Sequence, residues 1–174
     1  MKESVLRVER RLAELGIVLP APIQPPPGLA FPFAPVRVVG RRAVISGHSP
    51  LTPEGSIDGP FGKVGSEVSV AEAQDAARRT GLAILASLKR ALGDLDRVGQ
   101  WVRVFGMVNS APGFTQQVAV LNGFSTMILE VFGPERGLSA RAAVGMAELP
   151  FNIAVEIEGE VELTEPGEIA ESRG

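Results

Sequence analysis

Few residues of this chain can do chemistry, and many of them fall in or just beyond Ser139 to Glu158, S-A-R-A-A-V-G-M-A-E-L-P-F-N-I-A-V-E-I-E. Arg141 stands near the start of that stretch, and Glu156, Glu158, Glu160 and Glu162 form a row at and beyond its end. Side chains alternate across a strand, so these glutamates share one face while Val155, Ile157, Val161 and Leu163 share the other. Arg141 shares its face with Ala143, Gly145, Ala147 and Leu149, none of which competes with its charge. The stretch reads as a strand, a tight turn at Leu149-Pro150 and a return strand. A guanidinium and a carboxylate would then sit on neighbouring strands around a small site. Such an arginine can give two parallel charge-assisted hydrogen bonds to a carboxylate. A half-buried glutamate can orient a water and take its proton. The plainer alternatives are an ion pair between the arginine and a glutamate, and glutamates that are simply solvated. Position along the strand does not rank the four.

Other chemistries are excluded by composition. The chain has no cysteine, so it has no thiol nucleophile, disulfide framework or cysteine metal site. Its single histidine, His48, cannot form a histidine metal cluster, and no metal is expected. No Asp, Cys or Ser partner is placed beside His48 by sequence, so a structural role is expected. With 17 Lys plus Arg against 20 Asp plus Glu, the net charge of −3 leaves no basic footprint for nucleic acid. No apolar run is long enough to span a membrane, and the N-terminus lacks the apolar core of a signal peptide. The expectation is a cytoplasmic globular protein of one main domain.

The elements that must position these residues follow from periodicity. Residues 3–15 suit a short amphipathic helix carrying Val5, Leu6, Val8, Leu12 and Leu15, ended by Gly16. Proline-rich sequence from Leu19 to Gly28 reads as an extended linker. Val36 to Ser46 reads as a hairpin, Leu51 to Pro60 as a loop, and Lys63 to Val68 as a short edge strand. Ser69-Val-Ala-Glu72 is a capping box opening a helix with a small or apolar stripe at 73, 77, 81, 84, 88 and 92, stopped by Gly93. Val98 to Val108 is a strand, with Trp101, Arg103 and Phe105 expected on one face. A second helix is expected over 114–132, its inward stripe including Val118, Leu121, Asn122 and Ser125. The fold class is α+β, with both long helices on one face of a sheet of five or six strands. The other face needs cover, which a second copy could provide. The organisation is an N-terminal helix and linker over 1–29, a domain over 30–163, and a flexible polar tail over 164–174.

Several pieces in order carry a resemblance: V-I-S-G-H-S-P at 44–50, A-L-G-D-L-D-R-V at 91–98, N-G at 122–123, A-R-A-A-V-G-M-A-E-L-P at 140–150 and V-E-I-E at 155–158. Together they resemble the RidA/YjgF family of imine and enamine deaminases, also labelled endoribonuclease L-PSP. The long N-terminus and Gly62-Lys-Val-Gly65 are similar to one branch of it. The resemblance implies a chorismate-mutase-like fold with two helices on a mixed sheet, assembled as a homotrimer with sites between subunits. It implies hydrolysis of reactive 2-imino or enamine acids to 2-keto acids and ammonia, without a cofactor. A non-catalytic trimer that binds a small carboxylate is the alternative, and endoribonuclease activity is a third.

By the same resemblance Arg141 matches the substrate-carboxylate arginine. Glu156, fifteen residues further on, matches the glutamate that positions the attacking water. Ser46 and Gly47 match a serine-glycine pair at a strand end, where glycine permits close approach. Asn122 matches a residue bordering the cleft. Two positions depart from the pattern. Phe33 stands where relatives carry a tyrosine, and Ala143 stands where they often carry a cysteine. The pocket therefore loses a hydroxyl and becomes more apolar, which favours a larger or more hydrophobic imino acid.

Overall fold

The computed structural model describes residues 7–164. Val5, Leu6 and the expected tail from 165 lie outside the described residues. The chain runs α1 (Arg7–Glu14), β1 (Val36–Val39), β2 (Arg42–His48), α2 (Val70–Leu92), β3 (Val98–Asn109), α3 (Gln117–Gly137), β4 (Ala140–Met146) and β5 (Val155–Leu163). One-turn helices precede β3 at Leu95–Arg97 and precede β5 at Pro150–Asn152. The five strands form one mixed sheet in the order β1-β2-β5-β3-β4, in which only the β3–β4 pair is parallel. Lys63 to Val68 contributes isolated bridges rather than a strand. Both long helices lie on one face, as the α+β reading expects.

The sequence explains the α2 boundaries. The Ser69 hydroxyl accepts from the Glu72 amide, and the Glu72 carboxylate accepts from the Ser69 amide at 2.9 Å, so two orphan donors are satisfied reciprocally. Gly93, at φ 79°, ends the helix in the left-handed region. The helices α2 and α3 cross at two glycines. A Cβ on Gly81 would meet the Met127 methyl at 2.3 Å, and one on Gly123 would meet the Gln74 carbonyl oxygen at 2.0 Å. The N-G step at 122–123 is therefore a packing requirement as much as a site feature.

Two expectations about faces are corrected. Trp101 does not share a face with Arg103 and Phe105. A register shift against β5 between Trp101 and Arg103 lets Trp101 point to the helices, where it packs edge-on to Phe124 and Phe132. The buried stripe of α3 is also rotated. It consists of Val120, Leu121, Phe124, Met127, Ile128, Val131 and Phe132, while Val118 and Asn122 are exposed. The helix must face α2 and β3 at once, which widens and shifts its apolar side. Its regular part ends at Gly133, whose φ of 73° and ψ of 170° break the helical path.

The larger correction concerns the strand pair around which the chemistry was expected. β4 and β5 are not neighbours, because β3 lies between them. The segment after β4 steps across the end of β3. There the buried Asn109 side chain donates to Asn152 Oδ1 and the Ile153 carbonyl, each at 3.2 Å. Lys63 donates to Asn109 Oδ1 at 3.0 Å and to the Ala147 carbonyl, so the Gly62–Gly65 segment pins this crossover from the other side.

Candidate functional site

The row of glutamates sorts itself once its cations are identified. Glu158 lies 3.8 Å from Arg103, Glu160 lies 3.0 Å from Arg42, and Glu162 lies 3.4 Å from Arg41. Glu156 has no ion pair and no hydrogen bond to another described residue. Burial, with the Glu158 charge adding to it, raises its carboxyl above the ordinary value of 4.5. The carboxylate rests over Gly47, where any Cβ would lie 2.0 Å from Glu156 Oε1. Gly47 reaches that position through an extra residue in β2, since Ile45 pairs with Gly159 and His48 with Ile157. The same irregularity returns His48 to the helix side.

Glu156 and Gly47 line a cavity of about 330 Å³ at the end of the sheet. Phe31 and Phe33 wall it from the linker, their rings 5.5 Å apart, and Phe151 walls it from the crossover before β5. His48 and Ser87 supply much of the remaining polar lining. His48 Nδ1 lies 2.7 Å from the Ser46 carbonyl, which can only accept, so Nδ1 carries the proton. Nε2 then accepts from the Ser87 hydroxyl at 2.9 Å, and Arg90 donates to that hydroxyl at 3.3 Å. Burial holds the imidazole below its ordinary 6.5, against the Ser46 hydrogen bond, so the ring is neutral near pH 7. Ser46 itself takes no part in the lining. Its hydroxyl donates to the Ala34 carbonyl at 2.8 Å and ties the linker to β2.

Arg141 is elsewhere. It pairs in register with Val104 on the helix face, whereas Glu156 pairs with Met107 on the opposite face. Its guanidinium donates to Ser125 Oγ at 2.8 Å, Asn122 Oδ1 at 3.2 Å and the Val118 carbonyl at 3.4 Å. All three acceptors are uncharged, and no described carboxylate forms an ion pair with it. The alternative of an arginine neutralised by the acidic strand is thus excluded among the described residues. Ala143 follows on the same face of β4, half-buried against the core. The expected site residues therefore fall into two separate groups. Phe33, Gly47 and Glu156 lie in one, and Asn122, Arg141 and Ala143 lie in the other on the opposite side of the sheet.

The sequence reading missed Ser125 as the closest partner of Arg141, because it stood in the expected buried stripe. It also missed the cavity wall in the linker. Phe33 was expected at the pocket, whereas Ile23 and Phe31 were not, although a linker exposed on all sides has no use for such large apolar residues among prolines.

A mixed five-stranded sheet carrying two helices on one face defines the class of fold. Residues 9–158 match the family described as "YjgF/chorismate_mutase-like, putative endoribonuclease", and the chain belongs to that family. It is 43% identical over 157 residues to Protein TCP17 of Trypanosoma cruzi, covering 90% of this chain and 94% of that one. Among solved structures, Atu1372 of Agrobacterium tumefaciens, a protein of unknown function, is 41% identical with a TM-score of 0.78, covering 90% of this chain and 92% of that one. A putative endoribonuclease of Shewanella oneidensis is 29% identical with a TM-score of 0.80, covering 90% and 99% respectively.

Proposed function

We propose that the chain hydrolyses reactive 2-imino or enamine acids to 2-keto acids and ammonia, at sites shared between the subunits of a homotrimer. The observation that carries this reading is a pair of uncompensated opposite charges. Glu156 lacks a cation and Arg141 lacks an anion among the described residues, and they lie on opposite faces of one protomer's sheet. They can serve one ligand only across an interface, where Arg141 of one copy would hold the substrate carboxylate beside Glu156 of another. The sheet face away from the helices supports such an assembly. It carries Val44, 47% exposed, on β2 and the half-buried Phe105 and Met107 on β3, with the glutamate row of β5 between them.

In the reaction Glu156 takes a proton from water while the hydroxyl oxygen bonds to the imine carbon. Glu156 returns that proton to the nitrogen to give a carbinolamine, then carries the hydroxyl proton to the same nitrogen, so that the carbon–nitrogen bond breaks and ammonia leaves as the carbonyl forms. The raised proton affinity of Glu156 suits it to that exchange near neutral pH. Gly47 and Asn122 border the substrate, Phe33 walls its apolar side, and the step needs no cofactor. Endoribonuclease activity is less well supported, since the sequence pI is about 5.3 and the single histidine is half-buried and neutral.

The test is to generate imines with an amino-acid oxidase and follow keto-acid release above the spontaneous rate. Arg141→Ala is expected to lower kcat/KM by about 10²-fold or more, as loss of a charge-assisted clamp does. An unchanged rate would show that the clamp is wrongly assigned. Binding of 2-keto acids with no turnover of any imine would favour a non-catalytic carboxylate-binding trimer.

A further inference from the structure

The linker between α1 and β1 is built into the cavity, and its attachments are specific. The Ala21 amide donates to the Pro53 carbonyl and the Gln24 amide to the Gly55 carbonyl, each at 2.9 Å. The Gln24 side chain donates to the Glu54 carbonyl at 2.9 Å. A Cβ on Gly55 would lie 2.2 Å from the Pro22 carbonyl oxygen, so the two segments are in close backbone contact. At its start, α1 buries Val8 and Leu12, and its first amides donate to the Asp96 carboxylate. Ile23 and Phe31 are thereby fixed as walls facing Leu51 and Ile57 of the loop beneath.

The opposite wall carries a second sign of purpose. Phe151 lines the cavity with φ at 58° and its neighbour Asn152 has φ at 57°, backbone conformations that non-glycine residues rarely adopt. Asn109 bonds Asn152 and Ile153, and the Gly62 amide donates to the Asn152 carbonyl at 2.8 Å. An aromatic ring is held at the cavity rim, 43% exposed, by a backbone that would otherwise relax. The volume of about 330 Å³ falls within the range of small-molecule sites, roughly 300–1,000 Å³.

We propose that this linker is the specificity element of the site, and that the cavity takes the side chain of a 2-imino acid bearing a bulky apolar group, aromatic or branched aliphatic. The inference rests on the hydrolase reading for its reaction, but not for its binding preference. Alanine- or serine-derived imines would leave most of the apolar wall against water. Larger apolar groups would cover it, and each added methylene of fit is worth several-fold or more in kcat/KM.

The test uses the full chain and two readouts. Imines generated in situ from alanine, leucine and phenylalanine are compared by kcat/KM, and pyruvate and phenylpyruvate are compared by calorimetric titration. The bulky members are expected to be favoured about tenfold or more in both. Ile23→Ala and Phe31→Ala are expected to reduce that ratio several-fold, while Val18→Ala, on an exposed residue of the same linker (83% exposed), keeps it. Hydrolysis that is equal across the series, or fastest for the alanine imine, would overturn the inference and leave the hydrolase reading standing. Tighter binding of phenylpyruvate, sensitive to Ile23→Ala but without turnover of any imine, would do the reverse. Failure of phenylpyruvate to bind more tightly than pyruvate, with no turnover, would overturn it too, and a neighbouring copy filling the cavity gives that result.

Discussion

Gly47 is where backbone and chemistry meet most closely, because the space a methyl group would need is occupied by Glu156 Oε1 at 2.0 Å. The obstructing atom is the end of a flexible side chain, so Gly47→Ala should leave the fold nearly as stable as before while swinging the carboxylate away. Turnover should fall by about 10²-fold, comparable to losing a general base, with the melting temperature little changed. A large loss of stability instead would mean that Gly47 serves the strand and not the site. The proton affinity of Glu156 makes a separate prediction. Its carboxyl is raised above 4.5 by burial first and by the Glu158 charge second. Only the ionised form accepts a proton, so kcat/KM should rise with pH through a midpoint above 4.5. That limb should vanish from the residual activity of Glu156→Gln. At this scale the sequence was half legible. It named Glu156 through the family's spacing but could not separate it from Glu158, Glu160 and Glu162. The separation depends on Arg103, Arg42 and Arg41, which reach those three from β3, β2 and the turn before β2.

The elements divide by whether local signals decide them. The helix α2 was legible from end to end because its cap, its stripe and its stop are all short-range. The partner choice of β5 was not. A short segment between β4 and β5 looks like a hairpin turn, yet β5 inserts between β2 and β3, and no local pattern encodes that. The phase of β3 failed for a related reason, since one extra residue near Val102 reverses the faces on either side. Close packing of α2 on α3 makes a prediction at this scale. Gly123→Ala would place a methyl 2.0 Å from the Gln74 carbonyl oxygen, which belongs to backbone and cannot step aside. The helices must separate, and chemical denaturation should show a loss of roughly 1–3 kcal/mol, the usual cost of overpacking. Arg141 sits on α3 through Ser125 and Asn122, so activity should fall along with stability. A variant of full stability would contradict the crossing described here.

For the whole molecule, the arrangement explains why the strand pair looked like a site and is not one within a single chain. Arg141 and Glu156 lie on opposite faces of the sheet, separated by β3 between their strands. The distance in sequence is short, but under the proposed function the two groups would meet only between one copy and the next. Closed symmetry then makes every interface alike, so each would hold one arginine and one glutamate from different subunits. The most direct measurement is subunit complementation. Arg141→Ala and Glu156→Gln chains, each nearly inactive alone, are co-expressed in equal amounts and the mixed oligomers assayed for imine hydrolysis. Random assembly of a closed ring leaves roughly a quarter of the interfaces with both native groups, and activity should recover to about that fraction of wild type. Mixed oligomers that form and stay as inactive as their parents, beside an active wild type, would contradict a site shared between chains.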